Sequence, residues 1–110
     1  MKRMSLIAAL ALALGMSANA SATIDAKAAN AVMTKAGCSA CHQADKKVLG
    51  PAYKEVSTKY KGNAKAADLL MQKVRNGGSG TYGPIPMPPN PKEKISDEEL
   101  KNLIGWILSL

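Results

Sequence analysis

Between Asn76 and Pro91 the chain places four glycines and five prolines in sixteen residues. No helix and no central strand runs through such a stretch. Proline lacks the amide hydrogen that either ladder needs, and glycine adds backbone entropy that folding must remove. A fold that contains it must therefore arrange its regular elements around a long irregular loop. Loops of this length are either disordered or functional. The prolines narrow the unfolded ensemble and favour a fixed course.

The flanking segments carry helical patterns. Thr23 to Ala36 is rich in Ala and Lys, with Ile24, Ala28, Ala31 and Val32 apolar, and Gly37 ends it. Gly50-Pro51 breaks the chain. Pro51 suits the first position of a short helix bearing Tyr53, Val56 and Tyr60 at i, i+3 and i+7. Gly62-Asn63 makes a turn. Ala64 to Arg75 predicts a third helix with Leu69, Leu70 and Val74 apolar and Gly77 as its stop. Ser96-Asp97-Glu98-Glu99 is a capping box. Behind it Leu100, Leu103, Ile104, Ile107 and Leu108 form one apolar face. There is no internal repeat and no convincing strand. The expectation is an all-α domain of about four helices and one long loop.

The N-terminus predicts an address. Lys2 and Arg3 precede the apolar stretch Leu6 to Gly15, and Ala18-Asn19-Ala20 and Ala20-Ser21-Ala22 are both small-residue cleavage sites. The apolar stretch is about half of the roughly 20 residues a membrane span needs. Residues 1–22 are therefore expected to be a cleaved secretory signal, with residues 23–110 as the working domain. This places the domain outside the cytoplasm, in a bacterial periplasm, where thiols do not readily stay free.

Cys38-Ser39-Ala40-Cys41-His42 is the strongest chemical signal. A C-x-x-C-H run points to covalent attachment of a c-type haem. One turn of chain presents two thiols toward one porphyrin edge, where they add to the vinyl groups as thioethers. The adjacent imidazole then falls under the ring, within reach of iron. Other uses of the pair fit less well. A redox-active C-x-x-C sits on a βαβ pattern, absent here. A zinc site needs four ligands, and the chain has two cysteines and one histidine. A disulfide across two residues constrains little chain. A haem also accounts for an odd composition. Aromatics make up 4% and Phe is missing, so Tyr53, Tyr60, Tyr82 and Trp106 are a thin core for so small a domain.

His42 is the sole histidine, which rules out a second histidine on the iron within the chain. Once the signal leaves, the candidates are Met33, Met71, Met87, a lysine or an open site. Met33 lies close to Cys38 on the histidine side, and Met71 sits beside Leu69 and Leu70 in a helix. A core role suits both. Met87 lies in Pro84-Ile85-Pro86-Met87-Pro88-Pro89-Asn90, far from His42 along the chain. A rigid loop there can cross the other haem face and hold a thioether on iron. A soft thioether favours ferrous iron and a raised potential. Two strong ligands leave no open position, which points to outer-sphere electron transfer.

Taken together, the chain resembles class I cytochromes c, and within them the small bacterial cytochrome c-551/c-552 group. The marks are Lys35 to His42, Val48 to Tyr53, Gly80 to Asn90 and Leu103 to Leu108. The resemblance implies that the Pro51 carbonyl receives the free ring N–H of His42 and that Asn90 donates to the Met87 sulfur. It also implies that the first and last helices cross near Gly37 and Trp106. Many members carry Trp at the position of Tyr82, where the indole bonds a haem propionate. A tyrosine hydroxyl can make that bond with a different reach. The implied site is one haem c on Cys38 and Cys41, with His42 and Met87 on iron and Pro51, Tyr82 and Asn90 around it.

The formal net charge is +7, of which Lys2 and Arg3 leave with the signal. Lys46, Lys47, Lys54, Lys59, Lys61 and Lys65 are either a solvated surface or a patch steering the protein to acidic redox donors and acceptors. Nucleic acid is not the expected partner, since Arg75 is the one arginine past the signal and aromatics are few. No stable membrane insertion is expected, and transient encounters imply a monomer. The expected function is a soluble periplasmic electron carrier and not an enzyme. The alternatives are a haem enzyme or gas sensor with a displaceable sixth ligand, and a fixed relay subunit of a respiratory complex.

Overall fold

The structure, a computed structural model, describes residues 24–110. The expected signal at 1–22 lies outside them. Four helices follow in order: α1 (Ala26–Ala36), α2 (Tyr53–Tyr60), α3 (Ala66–Asn76) and α4 (Asp97–Leu108). A single 3₁₀ turn, Cys38–Ala40, separates α1 from the first loop. The described residues contain isolated bridges but no strand. None of their helices is long and apolar enough to cross a membrane.

Helix α4 is the wall on which the other three lean. Leu100, Leu103, Ile104 and Ile107 on its inner face meet Ala29, Met33 and Ala36 of α1, Tyr53 and Val56 of α2 and Leu70 of α3. Small residues on α1 allow a close crossing with α4. Trp106 is half-buried against this core and stands edge-on to Tyr53, with ring centroids 6.2 Å apart. Lys35 near the end of α1 also reaches Glu99 at the start of α4, at 3.0 Å.

Helix ends follow local chemistry. Asp25 caps α1 by accepting from the Ala28 amide at 2.8 Å, so α1 starts at Ala26 rather than at Thr23. Gly37 stops it in the left-handed conformation, φ 80°, with its N–H donating to Met33 and Thr34 carbonyls. Ser96 and Glu99 form the expected capping box, both bonds at 3.1 Å. Helix α3 begins at Ala66, two residues later than its pattern suggests, because Asn63 closes a turn onto the amides of Lys65 and Ala66.

Helix α2 departs from expectation in an informative way. Pro51 is not its first residue; Ala52 is the cap and Tyr53 the first helical position. The Tyr53 and Lys54 amides, otherwise orphaned at a helix start, donate to the Gln43 and Ala44 carbonyls at 2.9 and 3.1 Å. Pro51 is left outside, with its carbonyl free to turn toward the histidine.

Candidate functional site

The three elements that bear the chemistry converge on one cleft. The 3₁₀ turn brings Cys38, the chain after it brings Cys41 and His42, and the Gly/Pro loop brings Tyr82 and Met87. Leu70, Val74, Leu100, Leu103, Ile104 and Ile107 supply apolar wall. The cleft holds about 1340 Å³ of space, counting its open mouth.

The turn at the cysteines is closed by the Cys38 carbonyl, which accepts from the amides of Cys41 (3.1 Å) and His42 (3.0 Å). Both thiols are free and half-buried. Burial pushes the Cys38 thiol up from its ordinary value, and the charge of Lys94 opposes that shift.

His42 is held on several sides. Its Nδ1 lies 2.8 Å from the Pro51 carbonyl, which can only accept, so Nδ1 carries the hydrogen. In the neutral ring that leaves the lone pair on Nε2, the form a metal needs. Tyr53 stacks on the ring at 5.1 Å between centroids with 22° between planes. Sequence reasoning found the Pro51 contact through resemblance but missed Tyr53, whose spacing marked it only as core.

The Gly/Pro loop is a pinned hairpin. Gly78 and Met87 exchange backbone hydrogen bonds, and the Gly80 amide donates to Gly83 at 2.9 Å. Gly77 has φ 68°, and a Cβ there would collide with the Met87 carbonyl. Among the described methionines, Met87 alone lines the cleft; Met33 is 4% exposed in the core and Met71 packs against it.

Asn90 closes the loop, though not in the expected manner. Its buried amide donates to the Val74 and Pro88 carbonyls, both at 3.1 Å. Both amide hydrogens are thus on carbonyls, where the resemblance placed a bond to the Met87 sulfur. The physical effect is to staple the loop onto the end of α3. Arg75 completes the staple, donating to the carbonyls of Asn90 (3.1 Å) and Ile95 (2.7 Å) and to Asp97 Oδ1 (2.7 Å). This role of Arg75 was invisible in the sequence, where it stood only as the end of a helix.

Tyr82 supplies a direct test of fit. Its hydroxyl is buried, yet it has no hydrogen-bond partner among the described residues. A buried orphan hydroxyl costs about 1–3 kcal/mol. An acidic group of a bound macrocycle would satisfy it. Burial raises the Tyr82 phenol above its ordinary value, with Tyr60 and Glu55 adding to the shift, so it is a donor at neutral pH. Lys59 Nζ sits 5.3 Å from the Tyr82 ring centroid. Two thiols, one imidazole in the metal-binding tautomer, a thioether, apolar walls and an orphan donor all fit a covalently held haem.

The sequence left open which lysines surround the cleft, and the structure shows which do. Of the six lysines named from sequence, Lys54 pairs with Asp45 at 2.5 Å, and Lys59 lies over Tyr82. The lysines that line the cleft are Lys73 and Lys94. At its mouth Leu49 and Ile85 are 53% and 57% exposed.

Comparison with known proteins agrees. The family profile described as Cytochrome c matches residues 26–110. Cytochrome c2 of Rubrivivax gelatinosus is 52% identical over 75 residues, covering 68% of this chain and 88% of the relative. Cytochrome c-552 of Hydrogenobacter thermophilus is 47% identical over 74 residues, covering 67% of this chain and 72% of the relative. Among solved structures, cytochrome c552 of Nitrosomonas europaea superposes with a TM-score of 0.68 at 44% identity, over 74% of this chain and 98% of that one.

Proposed function

Because the chain belongs to the cytochrome c family and is a small c-type electron carrier bearing haem c, we propose that it works as a soluble periplasmic shuttle whose iron is closed on both faces. In this reading Cys38 and Cys41 would hold the haem as thioethers, and His42 Nε2 and the Met87 sulfur would ligate its iron. When bound, the haem supplies a single iron centre that gains and loses one electron.

The observation that carries the reading is the meeting of His42 and Met87 in one cleft, each on a rigid mount. Pro51 and Tyr53 hold the imidazole, and the Gly78 pairing holds the backbone of Met87. Ligands that move little between oxidation states keep the reorganisation on electron transfer small. Tyr82 would donate to an acidic edge group of the bound haem, and the apolar walls would exclude water. The titratable groups of the cleft are cysteines, tyrosines, lysines and His42, with no carboxylate among the lining residues. With Nδ1 committed to Pro51 and Nε2 taken by iron in this reading, His42 would not be available as an acid or base.

Docking follows from the rim. Half-exposed Leu49 and Ile85 offer an apolar contact at the mouth, and the surrounding lysines favour partners with acidic surfaces. Such encounters are small and brief, which suits a monomer. Export is proposed on the residues 1–22 pattern.

The test is the absorption spectrum of the purified protein, oxidised and reduced, with and without carbon monoxide. A low-spin reduced spectrum that carbon monoxide leaves unchanged is expected. Ready binding of carbon monoxide would mean an available sixth position, and the catalytic or sensing alternative would replace the carrier.

A further inference from the structure

Gly50 touches the one ring on which the proposed ligation depends. A Cβ built at Gly50 would lie 2.5 Å from His42 Cε1, 2.9 Å from Nδ1 and 3.0 Å from Nε2. Real carbon atoms do not approach so closely, so the edge of the imidazole between its two nitrogens occupies the space that a side chain at position 50 would need. This contact does not arise from a need for glycine's conformational freedom. The glycines with positive φ are Gly37, Gly62, Gly77, Gly78, Gly80 and Gly83, and Gly50 is not among them.

Nor can Gly50 easily move aside. Its amide donates to the Cys41 carbonyl at 2.8 Å, and its own carbonyl accepts from the Val48 amide at 3.1 Å. The next residue, Pro51, holds Nδ1, and Tyr53 covers the ring face. The imidazole is thus bounded at its edge, at one nitrogen and on one face by three residues of one short run, Gly50, Pro51 and Tyr53.

We propose that Gly50 is a positioning residue for His42, whose missing side chain sets the rotation of the imidazole about the direction in which Nε2 binds iron. The proposal rests on His42 being an iron ligand. Ring rotation orients the iron orbitals that the imidazole overlaps. The hydrogen bond from Nδ1 raises the ring's basicity. A side chain at Gly50 must turn or displace the ring, because the backbone around it is pinned. Either motion weakens the bond to Pro51. A poorer donor stabilises ferric iron less, so the potential rises.

The experiment compares holoprotein carrying Gly50→Ala with Gly105→Ala, where an added Cβ meets nothing within 4 Å. The readouts are the electron paramagnetic resonance g values of the oxidised protein and the reduction potential. Gly50→Ala should change the g spread and raise the potential, and Gly105→Ala should match wild type in both. Wild-type g values and potential in Gly50→Ala would overturn the proposal. If that variant does not accumulate as holoprotein, Tyr53→Leu decides, since it frees the ring face without adding an atom near it. A changed g spread there supports positioning by this segment, an unchanged one overturns it, and Tyr53→Phe should retain the wild-type signal. Failure of the ligation reading would look different: the wild-type protein itself would lack a low-spin signal with a nitrogen ligand.

Discussion

Gly78 and Met87 face each other as an antiparallel pair, each donating its amide hydrogen to the other's carbonyl at 2.9 Å. The loop between them returns on itself, so Met87 is mounted on hydrogen-bonded backbone within a segment that belongs to no helix or strand. Only its side-chain torsions remain free. The thioether is delivered to the cleft by a tether that the loop builds from its own residues.

Met87→Ala should open the sixth position. The reduced variant is expected to bind carbon monoxide, and its potential should fall, because the soft sulfur that favours ferrous iron is gone. Absorption spectra with and without the gas read the first effect and potentiometry the second. A variant that still excludes carbon monoxide would remove Met87 from the iron.

Gly77→Ala and Gly62→Ala separate two costs. Both glycines have positive φ, but a Cβ at position 62 meets nothing, whereas at position 77 it strikes the Met87 carbonyl. Gly62→Ala should lose about 1–2 kcal/mol for the backbone conformation alone. Gly77→Ala should lose more, and should also weaken the charge-transfer band of the sulfur–iron bond. Denaturant titration and the oxidised spectrum check the pair. Equal losses with an intact band would mean that the Gly77 contact does not position Met87.

Arg75→Ala should cost about 2–4 kcal/mol, because the carbonyls of Asn90 and Ile95 lose a charged donor together. Arg75 is largely buried, its side chain 18% exposed, so solvent replaces it poorly. Asp97→Asn should cost less, since that carboxylate is 59% exposed. Midpoints of urea unfolding give both values, and an Arg75→Ala loss no larger than that of Asp97→Asn would sink the staple.

Acid should weaken the same region. Arg75, then Lys92, hold the Asp97 carboxyl below its ordinary value of 3.8. Lys35 and the Ser96 amide hold Glu99 below its ordinary 4.5. With the folded values depressed, the unfolded chain binds protons first as pH falls. The stabilisation is full above these ordinary values and is lost as pH drops through the folded ones. Thermal midpoints should therefore be flat near neutrality and fall below about pH 4.5. Asp97→Asn should shallow the fall, and an identical acid limb in that variant would contradict the assignment.

Tyr82→Phe distinguishes a donor to the cofactor from a merely packed ring. The phenol has no partner among the described residues, so removing it should cost the polypeptide little. The potential of the holoprotein should nevertheless shift, and its dependence on pH should change, because an acidic edge group loses its donor. An unchanged potential from acid to alkaline pH would make Tyr82 packing alone.

The parts legible in the sequence were those that depend on neighbours along the chain. The capping box at Ser96 and Glu99, the apolar face of α4 and the C-x-x-C-H turn each lie within a few residues. The rest depends on distant partners. Helix α2 begins at Tyr53 because carbonyls of Gln43 and Ala44 arrive to receive its first amides. Arg75 reaches Asn90, Ile95 and Asp97 across three elements. Asn90 spends its amide on α3 and its own loop, where resemblance had assigned it to sulfur. Gly50 looks like half of a Gly-Pro break until the imidazole is seen beside it.

Helix α4, the wall on which α1, α2 and α3 lean, comes last in chain order. The cleft therefore has no back until this helix docks on the other three. Until it docks, Cys38, Cys41 and His42 lie in a segment that α4 does not yet enclose. Closure of the site is thus a long-range event, and loss of the α4 contacts would uncover both thiols and the imidazole together.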